Sequence, residues 1–448
     1  MKSGLAFGIA LLGGAIPQGV MAKPVLLISI DGLRPADVIE AQQRGLAVPN
    51  LRRFIRDGAY ASGVIGNLPT VTYPSHTTLL TGVAPASHGI IGNTTFDPKQ
   101  INQSGWYWYA TDIRVPTLWD AAAKAGMTTA NVHWPVSVGA RQVRWNLPQI
   151  WRTGHDDDAK LVAALSTPGL IDELAQGFGP YAPGIDESIE GDENRAGFAR
   201  RLISRHKPGF ITVYLTALDH EQHQFGPGTP KAHAVLERID RAVGDLVAAE
   251  LAVHPDAVVA VVSDHGFSAT DIEVNLFRPF IDAGLIRLDG DGKVTGWDAM
   301  PWPSGGSIAV VLARPDDSAL VGQVRSLLQR LKADPEARIG AIAERPAIAS
   351  MGGNPQASFY VNLAKGALSG GFKGEAAPLA SPARSKGMHG YFQADPEMRS
   401  TFMVMGKGVP AGLNLGEIDM RAIAPTLARI MKVALPAAEL PPVALTKR

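Results

Sequence analysis

Three apolar runs, each leading to an aspartate, restrict this chain to one kind of sheet. Val25-Leu26-Leu27-Ile28-Ser29-Ile30 ends at Asp31-Gly32, Ile211-Thr212-Val213-Tyr214-Leu215-Thr216 discharges into a segment that carries Asp219, and Ala257 to Val262 ends in Ser263-Asp264-His265-Gly266. Strands apolar along their whole length are those buried on both faces, which points to an α/β fold with a mainly parallel sheet covered by helices on each side. Open α/β sheets place ligand sites at the C-terminal ends of their strands. Three carboxylates are expected there, two of them with histidines beside them.

The stretch Pro69 to Asn93, PTVTYPSHTTLLTGVAPASHGIIGN, supplies the reactive group. Thr72 stands just before Tyr73-Pro74, and the early proline with the apolar spacing after it marks a helix start. Unpaired amides and the positive end of the helix dipole suit a phosphoryl group there. Thr72 is read as a nucleophile that attacks phosphorus, with a plain N-cap as the alternative.

Further along, Pro49 to Arg56 and Pro116 to Gly126 read as helices, Thr128 to Trp134 as a strand, and Val235, Ile239, Ala242, Val243 and Leu246 as the apolar stripe of a helix. From about 267 to 385 Gly and Pro become frequent, with a short strand at Ser307 to Leu312 and a helix at Ala319 to Leu331. This region is expected to be an insertion, a small cap on a catalytic domain spanning 23–448. The core pattern returns at Lys386 to Tyr391, with a strand at Thr401 to Met405 and a last helix from Met420 to Met431.

Lys plus Arg equals Asp plus Glu at 42 each, so no basic surface argues for a nucleic acid or an anionic membrane as partner. A small-molecule phosphoester is the expected ligand. Met1-Lys2, the apolar run LAFGIALLGGAIPQG and Val20-Met21-Ala22 have the order of a secretory signal cleaved after Ala22, giving residues 1–22 as signal peptide and a periplasmic or secreted protein without a stable membrane anchor. A membrane anchor is the alternative, against which the run is short and broken by Pro17.

With 0 cysteines, metal ligands must be His and carboxylate. Of the 11 histidines, His76, His88, His133, His155, His206, His233 and His254 are read as structural. Asp31, Asp219, His223, Asp264, His265 and His389 remain. Asp219 and His223 are four apart, on one side of a helical turn, while His220 points elsewhere. Asp264 and His265 diverge from one strand end. Six oxygen and nitrogen ligands without sulfur suit a pair of zinc ions (Zn2+), with manganese (Mn2+) or iron (Fe) as alternatives.

As an ordered set, Asp31-Gly32, PTVTYPSH, GVAPASHGIIGN, Asp219 to His223 with Gly226-Pro227, Ser263-Asp264-His265-Gly266 and Gly387-Met388-His389-Gly390-Tyr391 resemble the nucleotide pyrophosphatase/phosphodiesterase branch of the alkaline phosphatase superfamily. The resemblance implies an alkaline-phosphatase-like sandwich. It implies one metal on Asp219, His223 and His389, and another on Asp31, Asp264 and His265 with the Thr72 oxygen. Asn93, twenty-one residues after Thr72, would donate to a non-bridging phosphate oxygen, together with the Tyr73 amide. Departures are Gln222, where family diesterases often have glycine, and Val71, where vertebrate members have lysine.

Attack by Thr72 would give a phosphothreonine that water then hydrolyses. A sulfatase lacks its cysteine here. A threonine-type phosphomonoesterase would carry a Lys-x-Arg pair where this chain reads His133-Trp134-Pro135-Val136-Ser137-Val138-Gly139. A phospholipid-headgroup phosphodiesterase of the same superfamily stays open, whereas a non-catalytic metal-binding protein is disfavoured because no ligand of the set is missing. By the resemblance Tyr73 and Tyr214 would sandwich a nucleotide base, implying nucleoside 5′-monophosphate as product; the residues alone favour a helix-start packing tyrosine at Tyr73 and a core tyrosine at Tyr214.

Overall fold

The computed structural model describes residues 22–446 except 103–104, 153–156, 183, 185 and 375–376. The expected signal segment up to residue 21 and His155 lie outside the described residues. The rest follows from the three apolar runs. Val25–Ile30, Phe210–Leu215 and Val258–Val262 are adjacent in an eight-stranded sheet, with Val25–Ile30 parallel to both neighbours. The register pairs Ile30 with Leu215 and Ser29 with Val262, so all three strands finish at the same edge. Thr129–Val132 and Trp145–Leu147 extend the parallel part on one side. On the other side, Phe402–Gly406 pairs antiparallel with Val258–Val262, and Ala59–Tyr60 and Leu413–Asn414 complete the sheet.

Alternation along Val25–Ile30 shows why helices cover both faces. Leu26, Ile28 and Ile30 join a core with Leu202, Leu236, Ile239 and Leu246 from the helices Ile189–His206 and Pro230–Val253. Val25 and Leu27 join another with Leu79, Leu80, Trp119 and Leu427 from Thr72–Thr81, Leu118–Lys124 and Ile423–Met431. The last helix begins three residues later than expected, because Met420–Ala422 forms a separate 3-10 turn capped by the Asp419 side chain. No helix among the described residues is long and apolar enough to cross a membrane.

Within 267–385 a second, antiparallel sheet forms in the order Ala299–Ser304, Ser307–Leu312, Ala357–Leu363, Ile339–Glu344, with the helix Ser318–Ala333 contributing Leu320, Val324 and Leu328 to its own apolar core. Its hairpin Ser304-Gly305-Gly306-Ser307 lies against the loop of His389. The Gly306 amide donates to the His389 carbonyl at 2.7 Å and Ser307 Oγ to the Gly390 carbonyl at 2.5 Å.

Candidate metal centre and nucleophile

The parallel register carries the carboxylates to one edge. Asp31, Asp264 and His265 form one group and Asp219, His223 and His389 another, and within each group one ligand atom from every residue lies within 4.8 Å of the others. Asp219 and His223 stand one turn apart on the helix Ala217–Phe225. His389 follows the short strand Gly387–Met388. The groups abut: the His265 and His389 rings stack at 3.6 Å, 8° from parallel.

Each of the three imidazoles has its Nδ1 against a main-chain carbonyl, which fixes the tautomer. Nδ1–H of His223 donates to Gly387 O at 2.9 Å, that of His265 to Gly266 O at 3.0 Å and that of His389 to Thr70 O at 3.2 Å. Every Nε2 therefore faces the carboxylates, at 3.2 Å for His223 to Asp219, 3.1 Å for His265 to Asp264 and 3.6 Å for His389 to Asp219. Metal-ligating histidines are oriented in this way. Asp31 Oδ1, Asp219 Oδ1 and Asp264 Oδ2 are buried without a hydrogen-bond partner. Burial, reinforced by the charges of Asp219 and Asp264, pushes the Asp31 carboxyl well above the usual carboxylate range. Burial, with the charge of His265, pushes His389 down to about 3, keeping it in the neutral form that a cation binds. Orphaned carboxylate oxygens and aligned imidazoles make this donor set fit two divalent cations.

Thr72 opens the ten-residue helix Thr72–Thr81, with Val71 rather than Thr72 at the N-cap. Its Oγ1 lies 3.5 Å from His265 Nε2, beside the first group. His76 Nδ1–H, one turn on, donates to the Thr72 carbonyl at 2.9 Å, and its Nε2 lies 2.8 Å from Ser29 Oγ. Asn93 Oδ1 accepts from the Tyr73 amide at 2.9 Å. That amide, expected to donate to a phosphate oxygen, donates instead to the Asn93 side chain.

The expected base sandwich is also corrected. Tyr214 is 2% exposed, with its hydroxyl donating to Asp31 and its ring 4.5 Å from His76, so it has no face for a base. Tyr73 is 1% exposed, with its hydroxyl on Gln149 Oε1 and its ring 5.2 Å from Trp106. Trp106 and the half-buried Trp151, 5.1 Å apart, form the outer part of this aromatic group. They sit in loops without a periodic pattern, and sequence reasoning missed them.

Gln222, one of the departures, is buried and its Nε2 donates to Gly32 O at 3.0 Å. Gly32 has φ +67, and a Cβ there would come within 2.9 Å of that amide. Gln222 thus fastens the Asp31-Gly32 turn to the helix of Asp219 and His223. That helix has no side-chain cap of its own. Asp192, from another helix, accepts the Thr216 and Ala217 amides at 3.0 and 2.8 Å while Arg195 donates to it at 3.0 Å. His220 turns outward to Glu187, 3.3 Å away.

A groove of about 960 Å³ lies elsewhere, between Ala110–Lys124 and the segment around Val433, and contains none of these residues.

Residues 25–349 match the family described as type I phosphodiesterase / nucleotide pyrophosphatase. An uncharacterized pyrophosphatase/phosphodiesterase of Schizosaccharomyces pombe is 26% identical over 66% of this chain and 54% of its own length. Human ectonucleotide pyrophosphatase/phosphodiesterase family member 1 is 26% identical over 56% of this chain and 24% of its own. The bovine bis(5′-adenosyl)-triphosphatase is 27% identical over 59% and 53%. The chain therefore matches from about a quarter to about half of the length of these relatives. Among solved structures, human ectonucleotide pyrophosphatase/phosphodiesterase 5 superposes with a TM-score of 0.64 at 18% identity, over 92% of this chain and 96% of that one. An inactive form of the murine protein in complex with AMP has the same score and identity over 94% and 96%.

Proposed function

Since this chain belongs to the type I phosphodiesterase / nucleotide pyrophosphatase family, we propose that it hydrolyses phosphodiester or pyrophosphate bonds of nucleotides through Thr72 and releases nucleoside 5′-monophosphates. The observation that carries the reading is the alignment of three Nε2 atoms and three aspartates, two groups side by side, with the Thr72 hydroxyl next to one of them. The names of relatives as nucleotide pyrophosphatases and as a bis(5′-adenosyl)-triphosphatase, and the AMP of a structural neighbour, support a nucleotide substrate. The apolar N-terminal run supports an exported protein, periplasmic or secreted.

Two divalent cations, held by Asp31, Asp264, His265 and Thr72 Oγ1 and by Asp219, His223 and His389, would lower the pKa of the Thr72 hydroxyl and offset charge on the phosphoryl and leaving oxygens. Zinc suits these ligands, with manganese or iron as alternatives. Thr72 Oγ1 bonds to phosphorus as the bond to the leaving oxygen breaks, so the nucleotidyl group becomes an ester of Thr72. The threonine proton passes to solvent, and the leaving oxygen takes one from it. Water then displaces Thr72, giving the monophosphate and restoring the hydroxyl, for a net consumption of one water. Asn93 Nδ2 donates to a non-bridging oxygen, where fixed donors count most. Trp106 and Trp151 offer the aromatic surface on which a base can stack.

The test is a panel of nucleotide, choline and glycerol phosphodiesters beside monoesters, with and without a chelator, and acid quenching to trap the Thr72 ester. Nucleotide diesters should be fastest, and a covalent nucleotidyl adduct should map to Thr72. Faster choline or glycerol esters would make this a phospholipid-headgroup phosphodiesterase, faster monoesters a phosphatase, and metal-loaded protein without turnover a binding protein.

A further inference from the structure

The side chain of Gln222 leaves the helix of Asp219 and His223 and ends on the other ligand group. Its Nε2 donates to Gly32 O at 3.0 Å, while the Gly32 amide donates to Asp264 Oδ1 at 3.2 Å. Asp31 directly precedes Gly32. One residue therefore joins both strand-end carboxylates to the helix, by two hydrogen bonds and a peptide link. Gly32 suits this node because its φ is +67 and a Cβ would stand 2.9 Å from the Gln222 amide and 3.1 Å from the Phe267 ring. The node is shielded from solvent, with Gln222 and Phe267 each 1% exposed. The Phe267 ring lies 4.9 Å from that of His223, 5.5 Å from His389 and 6.1 Å from His265, so it borders both groups. Gln222 Oε1 is buried without a partner. An unmet acceptor is unfavourable in such a place, so packing does not account for an amide here, whereas the bond to Gly32 does.

The stacked His265 and His389 rings already tie the loop of His389 to the strand-end group. Asp219 and His223 stand on a helix, and Gln222 is what connects that helix to the turn of Asp31. We propose that Gln222 is a positioning residue that sets the separation of the two ligand groups through Gly32, and so the separation of the two cations they would hold. An in-line displacement has its attacking and departing oxygens on opposite sides of phosphorus, and a pair of cations serves both only at a matched distance. Gln222 touches neither substrate nor Thr72; it acts through Gly32 on where the ligands stand. The proposal rests on the two-cation reading above and adds to it the residue that fixes the spacing.

The experiment loads the wild type, Gln222→Met and Gln222→Ala with Mn2+ and reads three quantities: metal content, the dipolar coupling between bound Mn2+ ions by electron paramagnetic resonance, and the kinetics on a nucleotide phosphodiester. Methionine keeps the length and volume of the side chain and cannot donate to Gly32 O. Gln222→Met should still bind two Mn2+ per chain and melt close to the wild type, but its coupling should broaden into a wider spread of distances. Its kcat should fall about ten- to a hundredfold, as for the loss of other groups that orient metal ligands, with KM within about threefold. An unchanged coupling in Gln222→Met, whatever its rate, would overturn the proposal. So would a defect confined to Gln222→Ala, which would make the side chain a space filler, or a Gln222→Met protein that holds one Mn2+ at saturation, which would make it a determinant of affinity and not of spacing. A wild type that binds a single Mn2+ would instead remove the two-cation reading, and the role of Gln222 with it.

Discussion

The two carboxylate and imidazole groups use the same residue types and differ in how they are built. Asp31, Asp264 and His265 come from the ends of neighbouring strands and are buried, with side chains 5%, 0% and 0% exposed. Asp219, His223 and His389 come from a helix and a loop, and their side chains are 14%, 27% and 8% exposed. The strand-end group is fixed by sheet register. The other depends on Gln222, Asp192 and the Gly387 carbonyl to hold it in place. On the proposed mechanism, the first arrangement would suit a nucleophile that must stay aligned, and the second an open position that solvent and leaving group reach.

The largest effect is expected at Thr72. Thr72→Ala should lower kcat by at least about four orders of magnitude, as nucleophile removal does elsewhere, while elemental analysis still finds two metals per chain and the fold is kept. Residual activity near that of the wild type would end the nucleophile assignment. Thr72→Ser should retain part of the rate.

Metal removal comes next and tests the contrast directly. Chelator titration should strip the Asp219, His223 and His389 group first, passing through a species with about one metal, and the fully stripped protein should melt at a lower temperature because its clustered carboxylates lose their counter-charge. His223→Gln should weaken that first loss step by about ten- to a hundredfold in affinity and leave the second unchanged. Simultaneous release of both metals would show that burial does not distinguish the groups.

The smallest effect concerns what backs each helix. The Thr72 helix packs on His88, whose Nε2 lies 3.0 Å from Thr78 Oγ1 and whose Nδ1 accepts from the Ile90 amide. Burial pushes its pKa down to about 3. The unfolded chain takes up that proton near pH 6.5, whereas the folded one does not, so stability falls as pH drops from about 6.5 towards 3. His88→Gln should make the urea midpoint fall less steeply over that range, by the contribution of one proton. An unchanged slope would show that other groups carry the acid sensitivity. The Asp219 helix rests instead on the Asp192 and Arg195 pair, where burial holds the Asp192 carboxyl above the usual carboxylate range.

The carboxylates were legible because they end apolar runs, and parallel pairing of those runs brings them together without further information. The sorting of six ligands into two groups was legible only through resemblance: Asp31 and Asp264 are far apart in the chain, and nothing local says they meet. Tyr214 shows the limit of alternation, which gives the face on which a side chain lies but not what covers that face. Here the Thr72 helix covers it, and the hydroxyl is spent on Asp31. Trp106, Trp151 and Asp192 were missed for a related reason, since a loop aromatic and a cap donated by a distant helix leave no periodic trace.

The glycine hairpin beside His389 has a consequence for motion. A Cβ on Gly305 would stand 2.4 Å from the His389 carbonyl, one on Gly306 2.4 Å from the Tyr391 ring and one on Gly390 2.0 Å from the Ser304 carbonyl. Main chain touches main chain at Gly305 and Gly390, and the Tyr391 ring lies flush on Gly306. A sheet seated in this way cannot lift like a lid without pulling His389 out of its group, so the second sheet and the two carboxylate and imidazole groups are expected to move together. Amide hydrogen exchange should place residues 304–307 and 387–391 in the same slow class, and rapid exchange of the hairpin alone would show that the two come apart.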